Sequence, residues 1–220
     1  MPSSDEVKKQ KIIDQLTWND SLNAKSIQVK VSGNTALLEG MVPNYATKIS
    51  AATNANMVEG INHVENNLKV ELPVKSNLPD DKEITDNILN ILKWQSNVST
   101  ENLKVESNEG IVTLSGTTET LWGKNKAEDI VNGIHGVLGV VNKLDVNKSR
   151  TVKDIEMEED IKKAFERSPI IDENKISVDV NKGTVHLTGS VANFPIKKEA
   201  IDIATYTKGV NNVIGDITIE

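Results

Sequence analysis

Strict alternation of apolar and polar residues marks the clearest elements of the chain. Ile27-Gln-Val29-Lys-Val31 and Ile176-Ser-Val178-Asp-Val180 each put every second side chain on one face, the pattern of a half-buried strand. Upstream of each alternating segment, the spacing changes to that of a helix with one buried stripe. It is carried by Ile12, Ile13 and Leu16, by Ile88, Leu89 and Leu92, and by Ile161 and Phe165. Asp5, Asp81 and Asp154 stand where these helices begin, and a carboxylate there is expected to cap free helix N–H groups. Gly33-Asn34, Glu109-Gly110 and Lys182-Gly183 predict tight turns into a second strand, since Gly and Asn tolerate the positive φ such turns require. A second helix is expected over about 48–58, 124–133 and 197–207. Its inner positions are Ala51/Ala55, Ala127/Val131 and Ala200/Ala204, small enough for close approach to a sheet. Gly60, Gly136 and Gly209 are expected to end it, and a third alternating strand follows.

These elements repeat in register. Leu38-Glu39-Gly40 recurs 76 residues later as Leu114-Ser115-Gly116, and 73 residues after that as Leu187-Thr188-Gly189. The same offsets relate Val29/Val105/Val178, Ala51/Ala127/Ala200, Val64/Val140/Val213 and Leu68/Leu144/Ile217. So many independent columns in one register define a triplicated unit. The fold class is α+β, with three repeated αββαβ units. Alternation on all three strands leaves one sheet face for a core, so both helices lie on that face. A hairpin followed by a crossover helix makes each small three-stranded sheet mixed. The expected units are residues 1–73, 78–148 and 151–220. Linkers are expected at Pro73–Pro79, stiffened by its two prolines, and around Asn147–Thr151.

Composition narrows the chemistry. The 220 residues carry 25 basic and 32 acidic side chains, a net charge of −7, which argues against general adsorption to nucleic acid or anionic membranes. With the chain divided after residues 73 and 150, seven bases face eight acids in the first part, nine face eleven in the second and nine face thirteen in the third, so any anionic ligand must be met by a local cluster. The absence of cysteine removes disulfides, thiolate metal sites and thiol catalysis. No apolar run reaches the roughly 18 residues of a transmembrane span. Met1-Pro-Ser-Ser-Asp-Glu-Val-Lys-Lys shows no apolar leader, so the simplest expectation is a cytoplasmic protein; a removed leader would make it periplasmic. His63, His135 and His186 fall in different registers without ligand spacing. Gly133-Ile-His-Gly136-Val-Leu-Gly139 lacks the strand before, the helix after and the Lys-Ser/Thr ending of a phosphate loop. Neither an enzyme nor a cofactor is expected.

Leu-x-Gly, the Ala-lined helix and Gly136-Val137 followed by Val140-Val-Asn142-Lys-Leu144-Asp-Val146 resemble the BON domain, named for bacterial OsmY and nodulation proteins. The first unit keeps the last motif as Val64-Glu-Asn66-Asn-Leu68-Lys-Val70, whereas the third has Gly215 at the Asn position. Leu16-Thr-Trp18 and Leu92-Lys-Trp94 are similar to the family's tryptophan segment, replaced in the third unit by Phe165-Glu-Arg167. The resemblance covers nearly the whole chain and points to the OsmY-like, osmotic-stress or transport-associated group. It implies binding at phospholipid surfaces, or alternatively a chaperone-like role toward envelope proteins or potassium sensing.

The residues themselves suggest where such binding would occur. Tyr45, Leu121 and Phe194 align in the expected loop before the second helix, with Trp122 beside Leu121. Lys48, Lys124 and Lys197 share one register just beyond, and Lys126 and Lys198 add charge. An apolar tip with flanking lysines suits an anionic phospholipid surface. The competing reading is a hydrophobic staple, in which the residue before the cap packs on the helix. Trp18 and Trp94 are expected in the core or between repeats, with a lipid or partner anchor as the alternative. Asn66 and Asn142, on the inward face of the last strand, are expected to hydrogen-bond a neighbouring loop, with an ion held through the carbonyl as the alternative.

Overall fold

The computed structural model describes residues 3–19, 22, 26–71, 78–95, 102–147 and 152–220. Most of both expected linkers (72–77 and 148–151) lies outside these residues. The first repeat comprises α1 (Ser4–Trp18), β1 (Ile27–Ser32), β2 (Thr35–Val42), α2 (Tyr45–Asn56) and β3 (His63–Val70). In the second, α3 (Asp81–Lys93), β4 (Leu103–Asn108), β5 (Ile111–Thr118), α4 (Leu121–Asn132) and β6 (Gly139–Val146) keep that order. The third has α5 (Asp154–Arg167), β7 (Ile176–Asn181), β8 (Thr184–Val191), α6 (Phe194–Tyr206) and β9 (Asn212–Ile219).

Each repeat forms its own three-stranded sheet with the second strand in the centre. In the first, β1 pairs antiparallel with β2 and β2 parallel with β3; β7, β8 and β9 reproduce this residue for residue. The sheets are therefore mixed, as the hairpin-plus-crossover order requires. The alternation works as read: Ile176, Val178 and Val180 are buried while Ser177, Asp179 and Asn181 are exposed. In the first repeat Ile12 and Leu16 pack with Val29, Leu38, Ala51, Ala55 and Leu68. In the third, Ile161 and Phe165 pack with Val178, Leu187, Ala200, Ala204 and Ile217. The chain divides into two compact units. One holds Met1–Ile88, Glu106–Val112 and Val131–Val141, and the other holds Leu89–Val105, Thr113–Ile130 and Asn142–Glu220. The second repeat contributes to both.

The Asp column does something other than the expected capping. Ser3 Oγ accepts from Glu6 N–H at the start of α1. At α3, Asp80 and Glu83 each accept the other's backbone N–H, a reciprocal capping box. The Asp column lies inside the helices and reaches across to the hairpin turn. Asp5 accepts from Gly33 N–H at 3.2 Å. Asp81 accepts from Glu109 and Gly110 N–H at 2.8 and 3.0 Å and from the Ser107 hydroxyl at 2.5 Å. Asp154 accepts from Lys182 and Gly183 N–H at 2.7 and 2.9 Å. Glu109 and Lys182 both sit at φ 50° in these two-residue turns, so the carboxylate neutralises amides that the turn leaves pointing outward.

Ser107, Gly110 and Glu109, in that order of effect, hold the Asp81 carboxyl below its ordinary value of 3.8. A lowered carboxyl stabilises the fold above the unfolded-state value, and that contribution is lost as pH falls through the folded value. Asp81→Asn is therefore expected to lower the melting temperature at neutral pH and to flatten its decline below pH ~4. Asp154→Ala, which strands two turn amides, should cost about 1–2 kcal/mol in denaturant titration at pH 7.

Candidate functional site

The second helix of each repeat starts three residues earlier than its apolar pattern suggests. Asn44 Oδ1 accepts from Thr47 N–H at 2.7 Å, Thr120 Oγ1 from Gly123 N–H at 2.9 Å and Asn193 Oδ1 from Ile196 N–H at 3.1 Å. These three caps set the boundary. Tyr45, Leu121 and Phe194 are thus the first helical residues, not loop residues. A hydrophobic staple uses the residue before the cap, so that account does not fit them.

Tyr45, Lys48, Trp122, Lys124, Lys126, Phe194, Lys197 and Lys198 are all half-buried. Leu121 is buried, 7% exposed, within the apolar cluster of the third repeat. The third repeat's lysines are engaged: Lys197 Nζ donates to Ile217 O at 2.7 Å, and Lys198 pairs with Asp202. Asn66 Nδ2 donates to Lys48 O at 2.7 Å and its Oδ1 accepts from Leu68 N–H. Asn142 repeats both bonds, to Lys124 O and from Leu144 N–H, and adds Glu128. The amide therefore ties the last strand to the first turn of the second helix rather than to a loop. At Gly215 this tie is missing; a Cβ there would stand 2.9 Å from Ile201 Cδ1, and the Lys197 ammonium links helix and strand instead.

Trp18 and Trp94 overturn the expectation of core packing: they are 82% and 88% exposed. The cause is angular. Trp18 stands two residues past the buried Leu16, a turn of about 200° around the helix axis, away from the sheet, and Trp94 stands just past the last residue of α3. In the first repeat α1 and α2 run antiparallel. The Lys8 stem lies against Gly60, Lys11 Nζ is 4.0 Å from Glu59 Oε2, and Gln15 bonds Asn54 at 3.3 Å. Trp18, three residues beyond Gln15, ends α1; on α2, Lys48 is half-buried and Ile49 is 40% exposed. Sequence reasoning missed the exposure of Trp18 because it needs the angle around the helix axis as well as the residue columns. Among the described residues, no three His, Asp or Glu side chains gather to hold a metal, and no helix is long and apolar enough to cross a membrane.

Three αββαβ units in tandem, each with its own mixed sheet, define a repeat protein of α+β class. The chain belongs to the BON domain family, whose pattern matches residues 4–71, 80–148 and 153–220. It is 29% identical over 147 residues to osmotically-inducible protein Y of Escherichia coli (strain K12), covering 64% of this chain and 73% of that protein. It is 32% identical over 126 residues to outer membrane lipoprotein DolP of Haemophilus influenzae, covering 53% of this chain and 65%, less than two thirds, of that protein. Among solved structures, the C-terminal domain of CdsD, the structural protein of the Type III secretion system of Chlamydia trachomatis, aligns over 100% of both chains. Its identity is 14% and its TM-score 0.27, a likeness that carries no argument.

Proposed function

We propose that this chain is a non-enzymatic envelope protein that docks peripherally on anionic phospholipid, in the setting of osmotic or envelope stress. The observation that carries the reading is the pair of tryptophans, 82% and 88% exposed, one ending α1 and the other just past the end of α3. An indole suits the headgroup zone, with its ring on acyl chains and its N–H in water. Lys48 in the first repeat and Lys124 in the second supply the cationic complement, with Tyr45 and Trp122 beside them. The protein's net acidity confines attraction to these poles, and two weak poles on one chain gain avidity. The likeness to an outer membrane lipoprotein favours the periplasmic alternative over the cytoplasmic expectation. The likeness to an osmotically-inducible protein supports the stress setting. The potassium reading gains nothing from Asn66 and Asn142, whose carbonyls already accept backbone N–H groups.

Co-sedimentation with phosphatidylglycerol vesicles at low salt tests the proposal. Binding that weakens as salt rises is expected, because exposed charges are screened. Each lysine near an anionic surface contributes about 1 kcal/mol, so Lys48→Glu with Lys124→Glu should weaken binding at least about tenfold. Absence of binding at low salt contradicts the lipid reading; suppression of client aggregation without it would move the function to protein contact.

A further inference from the structure

The column that begins the second helix is not used alike in the three repeats. Tyr45 and Phe194 are half-buried, but Leu121 is 7% exposed and belongs to the apolar cluster of Met157, Ile161, Phe165, Leu187 and Val191. Val146, at the end of β6, packs on the same cluster. Both lie with the whole third repeat in one compact unit. Charges on α4 and α6 act on one another beside the apolar contact. Partial desolvation raises the carboxyl of Asp129, an exposed residue of α4, above its ordinary value; Lys126 draws it down, Glu128 pushes it up, and Lys198 and Asp202 of α6 act in the same two senses. The third repeat has meanwhile lost what would make it a lipid pole. Arg167 replaces the tryptophan, Lys197 is tied to Ile217 O, and Lys198 is tied to Asp202.

We propose that the third repeat acts as a clamp on α4, with Leu121 as the positioning residue that holds the adjacent Trp122–Lys124 turn toward its ligand surface. This rests on the lipid reading for its ligand, but not for the clamp itself. A side chain locked in a neighbouring core fixes the first turn of α4 and removes the ordering cost that a loose turn would pay on binding. Leu121 touches no lipid in this arrangement; it acts through Trp122 and Lys124.

The test uses the full chain, phosphatidylglycerol vesicles and amide hydrogen exchange. Leu121→Ala should speed exchange in the first turn of α4 and in the third-repeat strands, and should weaken vesicle binding about tenfold. Leu121→Met, close in volume, should restore both readouts. Should Leu121→Ala fail to fold, Lys198→Glu decides: it replaces the α6 cation acting on Asp129 with a further negative charge and should speed exchange in α4 and lower affinity about threefold. Unchanged exchange in α4 in a folded Leu121→Ala protein overturns the clamp, and faster exchange with unchanged affinity overturns the positioning role. Wild-type protein that ignores vesicles defeats the lipid reading, while the exchange result still judges the clamp.

Discussion

Gly116→Ala is expected to unfold the second repeat. Gly116 has φ +109°, and a Cβ built on it would lie 1.8 Å from the carbonyl oxygen of Asn102, itself held in place by the Thr117 N–H at 3.1 Å. Gly40 and Gly189 face the same obstacle, with Ser26 O and Lys175 O each 2.0 Å from the position a Cβ would take. Backbone strain in this region costs about 1–3 kcal/mol and overpacking against rigid backbone about as much again, so roughly 4 kcal/mol is expected. A unit of this size rarely has more than about 3–5 kcal/mol to lose. Calorimetry should show the cooperative transition of the second repeat missing or far below the wild-type temperature. A melting curve unchanged by the alanine would refute the steric account of the Leu-x-Gly column.

The second large effect is on binding. Trp18→Ser with Trp94→Ser removes two indoles whose rings contact little of the protein. Burying about half of a ring's ~200 Å² in the headgroup zone is worth about 2.5 kcal/mol. Losing two such contacts should lower vesicle affinity by roughly a thousandfold. Thermal stability should change by no more than about 0.5 kcal/mol, as for other exposed positions. That contrast separates an anchor from a packing residue.

The repeat, the strand faces and the inner helix positions were legible because each rests on a period and on columns in register. Val178, Leu187 and Ala200 are buried where alternation and helical spacing place them. Contacts between elements distant in sequence were less legible. Asp81 reads as a cap from local sequence, yet its partners are 26, 28 and 29 residues away, at a turn brought near only by the fold. Trp18 reads as core beside an apolar stripe, but the helical angle turns it out to 82% exposure. Leu121 aligns with Tyr45 and Phe194, and nothing in its own repeat marks it as part of the third repeat's core. The lysine column was visible in the sequence; that Lys197 is consumed by Ile217 O follows from Gly215 only once helix and strand are seen together.

The most direct test of contact with anionic lipid is the tryptophan emission of the intact chain titrated with phosphatidylglycerol vesicles carrying brominated acyl chains. Entry of Trp18 and Trp94 into the headgroup zone predicts a blue shift and quenching that saturate with lipid and reverse with salt. Emission that keeps its wavelength and intensity at every lipid concentration, at low salt, would contradict it.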